Sequence, residues 1–190
     1  MAEHDMTEEE VTNYKAPAEK SLDEILNLDT EDESLRKYKE TLLGNAASEV
    51  FPNDPRRVIV QKLALLVEGR PDMELDLTET MSEIKKKTFI LKEGCQYKVK
   101  IYFYVQREIV SGLKYIQKSY RKGLQVDKTS YMVGSYGPKM ELQSFTTPVD
   151  EAPSGLISRG TYNIKSLFTD DDKNEHLKWE WSLEIKKDWK

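Results

Sequence analysis

Residues 97–138 read YKVKIYFYVQREIVSGLKYIQKSYRKGLQVDKTSYMVGSYGP, and this stretch decides the fold class. From Tyr97 to Val105 every second side chain is apolar, which is typical of a strand with one buried face. The intervening side chains, ending with Gln106, are predicted to face solvent. Two further apolar runs follow closely, at residues 109–116 and 131–133, before a turn at residues 134–138. Such closely spaced aromatic runs indicate an antiparallel sheet.

The rest of the chain after residue 57 continues in the same style. The pattern predicts eight or nine short strands, so the fold class is mainly β, an immunoglobulin-like antiparallel β-sandwich over residues 58–190. In the last predicted strand, residues 177–185, all odd positions are apolar. Residues 81–87 fit either a helical turn or a loop. The other predicted strands lie at residues 58–60, 63–67, 75–77, 88–91, 141–147 and 160–168.

Residues 1–57 form a predicted flexible, acidic N-terminal arm with two short helices. Residues 1–40 contain thirteen acidic and five basic side chains. Two S/T-x-x-E capping patterns, beginning at Ser21 and Thr30, predict helices at about 21–28 and 32–43. Helices this short are marginal alone, so the pair needs a surface to lie on. That surface is either the protein's own body or a partner, and residues 45–57 are predicted to be a linker.

Composition argues against several classes of function. The net charge of -5 disfavours nucleic-acid binding, and the single cysteine, Cys95, is predicted to be a packing residue in a reducing, cytoplasmic environment. No apolar run is long enough to cross a bilayer, so no stable membrane insertion is expected. Of the two histidines, His4 lies in the arm and His176 is predicted to be a surface residue. We therefore expect no enzyme, no metal site and no cofactor.

Large apolar side chains leave two readings open. Trp179 and Trp181 share one strand face, and several phenylalanines and tyrosines add further rings. These side chains fit a closed sandwich core, and they fit equally well an interior that opens to hold an apolar ligand. Periodicity alone does not separate the two.

Several long segments resemble the Rho GDP-dissociation inhibitor family. The resemblance runs from Asn13 to the C-terminus, and it departs most at residues 45–57 and 69–74. The matching segments include NYK at 13–15, DESLRKYK at 32–39, LLG at 42–44, LKEG at 91–94, REIVSGLKYIQ at 107–117, YMVGSYGP at 131–138, PVDEAP at 148–153, FTDDDK at 168–173 and WEW at 179–181.

The resemblance implies a non-enzymatic inhibitor of prenylated Rho-family small GTPases, with the GDP-bound form favoured. The arm would lie on the switch regions and slow GDP release. The sandwich would bind the geranylgeranyl group and extract the GTPase from membranes into the cytosol. The expected states are a monomer alone and a 1:1 heterodimer with the GTPase.

The resemblance also implies roles for individual residues. The switch contacts are Tyr14, Asp32, Ser34, Tyr38, Leu42 and Leu43 on the arm, with Asp127 and Asp172 on a common face of the sandwich. The prenyl pocket is Leu65, Phe89, Tyr97, Ile109, Ile164, Trp179 and Trp181. Asp150 and Glu151 would face the polybasic tail of the GTPase. The alternative is a general shuttle for prenylated or acylated cargo, which would have no need of the two-helix arm.

Overall fold

The computed structural model describes residues 32–43 and 49–190, which form two facing β-sheets and two short helices. Most of the described chain is strand, so the predicted mainly β sandwich is confirmed. The elements in chain order are α1 Glu33–Leu43, β1 Val58–Leu66, β2 Met73–Asp76, α2 Met81–Lys86, β3 Thr88–Lys92, β4 Gln96–Val105, β5 Val110–Arg121, β6 Leu124–Tyr136, β7 Gln143–Thr146, β8 Asp150–Glu151, β9 Gly160–Thr169 and β10 Glu175–Lys186.

Each sheet contains five strands. The first has the order β2-β1-β4-β7, with β8 also paired to β4, and the second has the order β3-β10-β9-β5-β6. The pairs are antiparallel except for β3, which runs parallel to β10. A parallel pair gives no separate signal in a half-buried strand, so the sequence pattern does not distinguish it.

The core lies between the sheets and follows the predicted alternation. In β4 the side chains of Tyr97, Val99, Ile101, Phe103 and Val105 are buried. In β10 the buried positions are Trp179, Trp181, Leu183 and Ile185. Each such side chain contributes about 1.5–3 kcal/mol on transfer from water, so the two alternating strands hold the sheets together.

Several element boundaries differ from the predicted ones. The runs at 58–60 and 63–67 belong to a single strand, β1, with an irregularity between Val60 and Lys62. β6 begins at Leu124 rather than near residue 131, because this edge strand is mostly exposed and its first half lacks alternation. Residues 81–86 form a helix that buries Ile84.

α1 is capped by a residue other than the predicted one. The carboxylate of Asp32 accepts hydrogen bonds from the backbone amides of Ser34, at 2.9 Å, and Leu35, at 3.2 Å. These are two of the amides that a helix start leaves without an internal partner, and aspartate is among the preferred caps. The predicted cap, Thr30, and the predicted helix at 21–28 lie outside the described residues.

Residues 49–57 lie against the sandwich, held by the turn that follows β4. Gln106 is fully buried, and its side chain accepts from the Phe51 amide at 3.0 Å and donates to the carbonyl oxygens of Asp54 and Arg56, each at 2.9 Å. Arg107 donates to the Pro52 carbonyl at 2.9 Å. The prediction that Gln106 faces solvent is wrong, because these residues cover it. Whether a domain boundary falls at residue 57 stays a prediction.

The strands give the sandwich two distinct ends. β4 runs from Gln96 to Val105, a length of roughly 25–30 Å at about 3.3 Å per residue. We call the Gln106 end the anchor end, since residues 49–57 are fastened there. The opposite end, which contains Tyr97, is called the pocket end because it contains the cavity described next.

Candidate functional site

A pocket of about 360 Å³ lies between the sheets at the pocket end. One wall comes from β4 and β8 of the first sheet, and the other comes from strands of the second sheet. Its lining is Leu91, Tyr97, Gln117, Ser119, Val126, Asp127, Asp150, Glu151, Ala152, Pro153, Tyr162, Ile164, Leu183 and Ile185. The volume falls within the range of about 300–1,000 Å³ usual for small-molecule sites.

The pocket has an apolar floor and an acidic mouth. The buried lining residues are mainly apolar, namely Leu91, Ile164, Leu183 and Ile185, with the polar side chains of Gln117 and Ser119 beside them, whereas Asp127, Asp150 and Glu151 are exposed. This division suits a ligand with an apolar body that is attached to a cationic segment. The hydrophobic part would be enclosed, and the charged part would remain at the solvated rim.

Tyr97 joins the floor to the mouth. Its hydroxyl donates a hydrogen bond of 3.3 Å to Asp150 Oδ2. Burial raises the pKa of Tyr97 above its ordinary value, and the negative charge of Asp150 adds to the effect. The phenol thus links the buried floor of the pocket to the Asp150 carboxylate at the rim.

Behind the floor, a buried chain of hydrogen bonds fixes the aromatic side chains. Trp181 Nε1 donates to Ser166 Oγ at 3.0 Å, and the same oxygen lies 3.0 Å from the Tyr115 hydroxyl. That hydroxyl in turn donates to Gln117 Oε1 at 2.8 Å. Because Gln117 lines the pocket, the chain links the pocket wall to the interior of the sandwich. Desolvation raises the pKa of Tyr115, which keeps this donor protonated.

Aromatic stacking extends deeper into the core. The ring of Tyr115 stacks on Trp179, with centroids 6.0 Å apart, and on Tyr131, with centroids 6.1 Å apart. Trp179 Nε1 is buried and has no hydrogen-bond partner within the described part of the chain. A buried donor without a partner costs free energy, so the surroundings of the Trp179 indole are less favourable than those of Trp181, whose donor is bonded to Ser166.

The structure brings only some of the predicted pocket residues to the cavity. Tyr97 and Ile164 line it. Leu65, Trp179 and Trp181 are fully buried core residues outside its lining, and Phe89 packs edge-on against Trp181 at 5.7 Å. Ile109 is half-buried in the turn before β5, at the anchor end. The predicted set therefore combines pocket, core and anchor-end positions.

The predicted switch contacts of the arm are only partly described. Asp32, Ser34 and Tyr38 are exposed, and Tyr38 has 55% of its side chain accessible. Leu42 and Leu43 belong to α1, and nothing is described of their side chains. Tyr14 lies outside the described residues.

The two predicted switch contacts on the sandwich are far apart. Asp127 pairs in register with Ser119 and lines the pocket. Asp172 follows Asp171, whose amide bonds to the Ser111 carbonyl at the anchor end. Ser119 lies eight positions along β5 from Ser111, which corresponds to roughly 25 Å. Asp127 is therefore grouped with Asp150 and Glu151, the predicted polybasic contacts, and not with Asp172.

His176 differs from its predicted position as a surface residue. Its side chain is 7% exposed, and Nε2 lies 2.8 Å from Oδ2 of the buried Asp170. Burial alone would raise the pKa of Asp170, but hydrogen bonds from His176 and Asn174 outweigh it and hold the pKa below its ordinary value. The sequence missed this pair because six positions separate its members across a turn.

Neither a metal cluster nor a membrane span is found among residues 32–43 and 49–190. No group of His, Cys, Asp or Glu side chains there is arranged to hold a metal ion. The helices of that part are also too short to cross a bilayer.

Comparison with known proteins agrees with the resemblance in the sequence. Residues 1–188 match the family model described as RHO protein GDP dissociation inhibitor. The chain is 59% identical over 184 residues to Rho GDP-dissociation inhibitor 1 of Rattus norvegicus and of Homo sapiens, covering 96% of this chain and 90% of each relative. It is 52% identical to Rho GDP-dissociation inhibitor 3 of Homo sapiens, covering 98% of this chain and 83% of that protein. The chain therefore belongs to the Rho GDP-dissociation inhibitor family.

Proposed function

We propose that this protein inhibits GDP dissociation from Rho-family GTPases and removes their prenylated forms from membranes. Family membership supports the first activity. The observation that carries the second is a pocket between the sheets with an apolar floor and an acidic mouth. The protein acts by binding, as a regulator and not as an enzyme, and works in the cytosol as a monomer or a 1:1 complex.

The pocket takes the geranylgeranyl group of the GTPase. A buried lipid chain gains about 0.8 kcal/mol per CH₂, so a C20 prenyl group gains more than about 10 kcal/mol before costs. A volume of about 360 Å³ is near the lower end for ligand sites, so the sheets must part further to enclose the whole chain.

The acidic mouth receives the basic tail that precedes the prenylated cysteine. Asp150 and Glu151 form the short β8, and Asp127 lies on the same rim. Attraction between these carboxylates and the tail speeds encounter and selects prenylated cargo with a basic tail. The main part of the binding free energy comes from the enclosed lipid.

The arm acts on the nucleotide. α1 exposes Leu35 and Tyr38, which are apolar anchors suited to a partner surface. Seated on the switch regions of the GDP-bound form, α1 keeps the nucleotide-binding loops closed and slows GDP release. Asp32 fixes the start of α1, and Ser34 lies in its first turn.

A comparison of prenylated and unprenylated GTPase tests both activities. We expect tight binding and membrane extraction for the prenylated form, and weaker binding with residual inhibition of GDP release for the unprenylated form. Equal affinity for the two forms contradicts the role of the pocket. A prenylated or acylated peptide that binds as tightly as the whole GTPase instead supports a general lipid shuttle.

A further inference from the structure

The most exposed large hydrophobic side chains of the described residues are clustered on two loops. Ile157 is 88% exposed, Leu156 is 79% exposed and Leu124 is 73% exposed. Leu156 and Ile157 lie in the loop between β8 and β9, and Leu124 begins β6 at the tip of the β5–β6 hairpin. Exposed aliphatic side chains at neighbouring loop tips mark a surface that contacts something apolar.

Arg121 fastens the two loops to each other. Its guanidinium donates to the Arg159 carbonyl at 2.6 Å and to the Tyr162 hydroxyl at 3.2 Å. That hydroxyl donates to the Ser158 carbonyl at 2.8 Å. The hairpin tip and the β8–β9 loop therefore form one surface, which we call the tip surface, comprising residues 121–126 and 153–159.

The tip surface borders the pocket mouth. Val126 and Pro153, one from each loop, line the pocket. A ligand that enters the mouth therefore passes beside the exposed aliphatic side chains. The β8–β9 loop is also held on its far side, because Arg159 forms a two-pronged ion pair with Glu93, with both N–O distances 2.8 Å. The exposed aliphatic side chains of the β8–β9 loop are thus on a segment that this ion pair holds in place.

The tip of the hairpin is basic, whereas the mouth beside it is acidic. Residues 121–126 contain Arg121 and Lys122 and no acidic side chain, and Asp127, Asp150 and Glu151 lie at the mouth. Basic side chains next to protruding aliphatic ones are the usual composition of a segment that rests in the headgroup region of a bilayer. A protein interface would instead be centred on Trp, Tyr or Arg anchors, but the tip surface has no aromatic side chain, and its two arginines, Arg121 and Arg159, are already bonded within the protein.

We propose that the tip surface docks transiently on the lipid bilayer, with Leu124, Leu156 and Ile157 dipping into its interface. This inference rests on the proposed function, because the prenyl group is embedded in the bilayer before it reaches the pocket. Docking brings the mouth to the membrane surface, so the lipid chain passes from bilayer to pocket with little exposure to water. The contact is shallow and reversible.

The direct test is binding of the protein alone to vesicles of phosphatidylcholine with and without phosphatidylserine. We expect weak flotation that increases with phosphatidylserine and falls about tenfold or more in the Leu156→Ser, Ile157→Ser variant. The matched control is Met140→Ser with Leu142→Ser, which removes two exposed apolar side chains from the β6–β7 connection at the anchor end. Equal loss in both variants, or no loss in the first, overturns the proposal.

A second variant measures how deeply the β8–β9 loop enters the bilayer. Ile157→Trp adds an indole at the loop tip, and its fluorescence should be quenched by lipids brominated near the headgroup end of the acyl chains. No quenching by brominated vesicles, in a variant that melts like the parent, overturns the proposal.

The last experiment separates docking from the proposed function. The Leu156→Ser, Ile157→Ser variant should extract prenylated GTPase from vesicles about tenfold more slowly, yet bind a soluble prenylated peptide like the parent. Equal extraction rates overturn docking alone. A matching loss of peptide affinity also overturns it, since the loops would then contact the cargo. Failure of the parent to bind the peptide or extract GTPase instead refutes the proposed function.

Discussion

Replacement of Gln106 by leucine should loosen residues 49–57 from the sandwich while sparing the pocket. Gln106 is fully buried, and its amide group forms four hydrogen bonds to the backbone of residues 51–56. Leucine keeps the volume and the burial but forms none of them. The backbone groups left behind would be unsatisfied in the buried state, so the segment gains by moving into water.

The magnitude follows from these bonds. Three of them measure 2.9–3.0 Å and one, to the Phe51 carbonyl, measures 3.3 Å and is weaker. At about 1 kcal/mol net for each good bond, the loss is about 3 kcal/mol, or on the order of a hundredfold in the docking equilibrium of residues 49–57. Arg107 still holds the Pro52 and Asp54 carbonyls, so the segment is loosened and not released completely.

Two measurements check this prediction. Hydrogen exchange at the Phe51 amide should accelerate strongly in Gln106→Leu, and the concentration needed to inhibit GDP release should rise about tenfold as the arm's effective concentration falls. Gln143→Leu is the matched control, because its one described side-chain hydrogen bond, to the Glu141 carbonyl, holds no distant segment. If a folded Gln106→Leu protein keeps both the amide protection and the inhibition, the anchoring argument fails.

Substitutions at three further positions test the arm, the pocket and the buried Asp170–His176 pair. Asp32→Ala should weaken GTPase binding by on the order of tenfold, through loss of the α1 cap and of a charge, whereas Asp32→Asn keeps the cap and should lose less in the same titration. Ile164→Glu should abolish extraction of prenylated GTPase by placing a carboxylate in the pocket floor, while Ile164→Ala should retain it. Asp170→Asn should lower the free energy of unfolding at neutral pH, as measured by urea titration.

The pH dependence of the Asp170 effect has a definite sign. The folded-state pKa of Asp170 is depressed, so its stabilising contribution is present above the ordinary pKa of about 4 and is lost as the pH falls through the folded value. The difference between parent and Asp170→Asn should therefore shrink below about pH 4. A difference that stays constant down to that range contradicts the assignment.

Controls of folding separate these outcomes from simple loss of structure. Ile164 is 1% exposed, so both of its variants need thermal melts before extraction is interpreted. If Ile164→Glu is folded and still extracts, the pocket is not the prenyl site. Equal binding by Asp32→Asn and the parent would leave Asp32 only its capping role.

Periodicity predicted the strands that have one buried face, and it missed a side chain that is buried by a segment distant in the sequence. The alternation of β4 and β10 follows from a core on one side and solvent on the other, so the sandwich could be predicted from the sequence. The same rule put Gln106 in water, although residues 49–57 cover it. A polar residue that is buried by a distant segment carries no local signal of its burial. In Gln106, four hydrogen bonds to that segment replace the bonds that water would otherwise make.

The candidate site could also be predicted only in part from the sequence. Trp179 and Trp181 are correctly predicted to be large inward side chains, yet a core and a pocket wall use the same residue types. The distance between Asp127 and Asp172 depends on the register of β6 on β5 and of β9 on β5, which the sequence does not reveal. The family resemblance implied the roles of Asp127 and Asp172, and the structure shows how far apart they lie.

The separation of the two ends has a consequence for binding. Residues 49–57 are fastened at the anchor end and the mouth lies roughly 25–30 Å away, at the start of β4. A GTPase that engages both the arm and the pocket is held at two places, and each contact raises the effective concentration of the other. Loosening the anchor at Gln106 should therefore weaken the inhibition of GDP release more for prenylated GTPase than for unprenylated GTPase, which lacks the pocket contact, whereas an altered pocket should affect only the prenylated form.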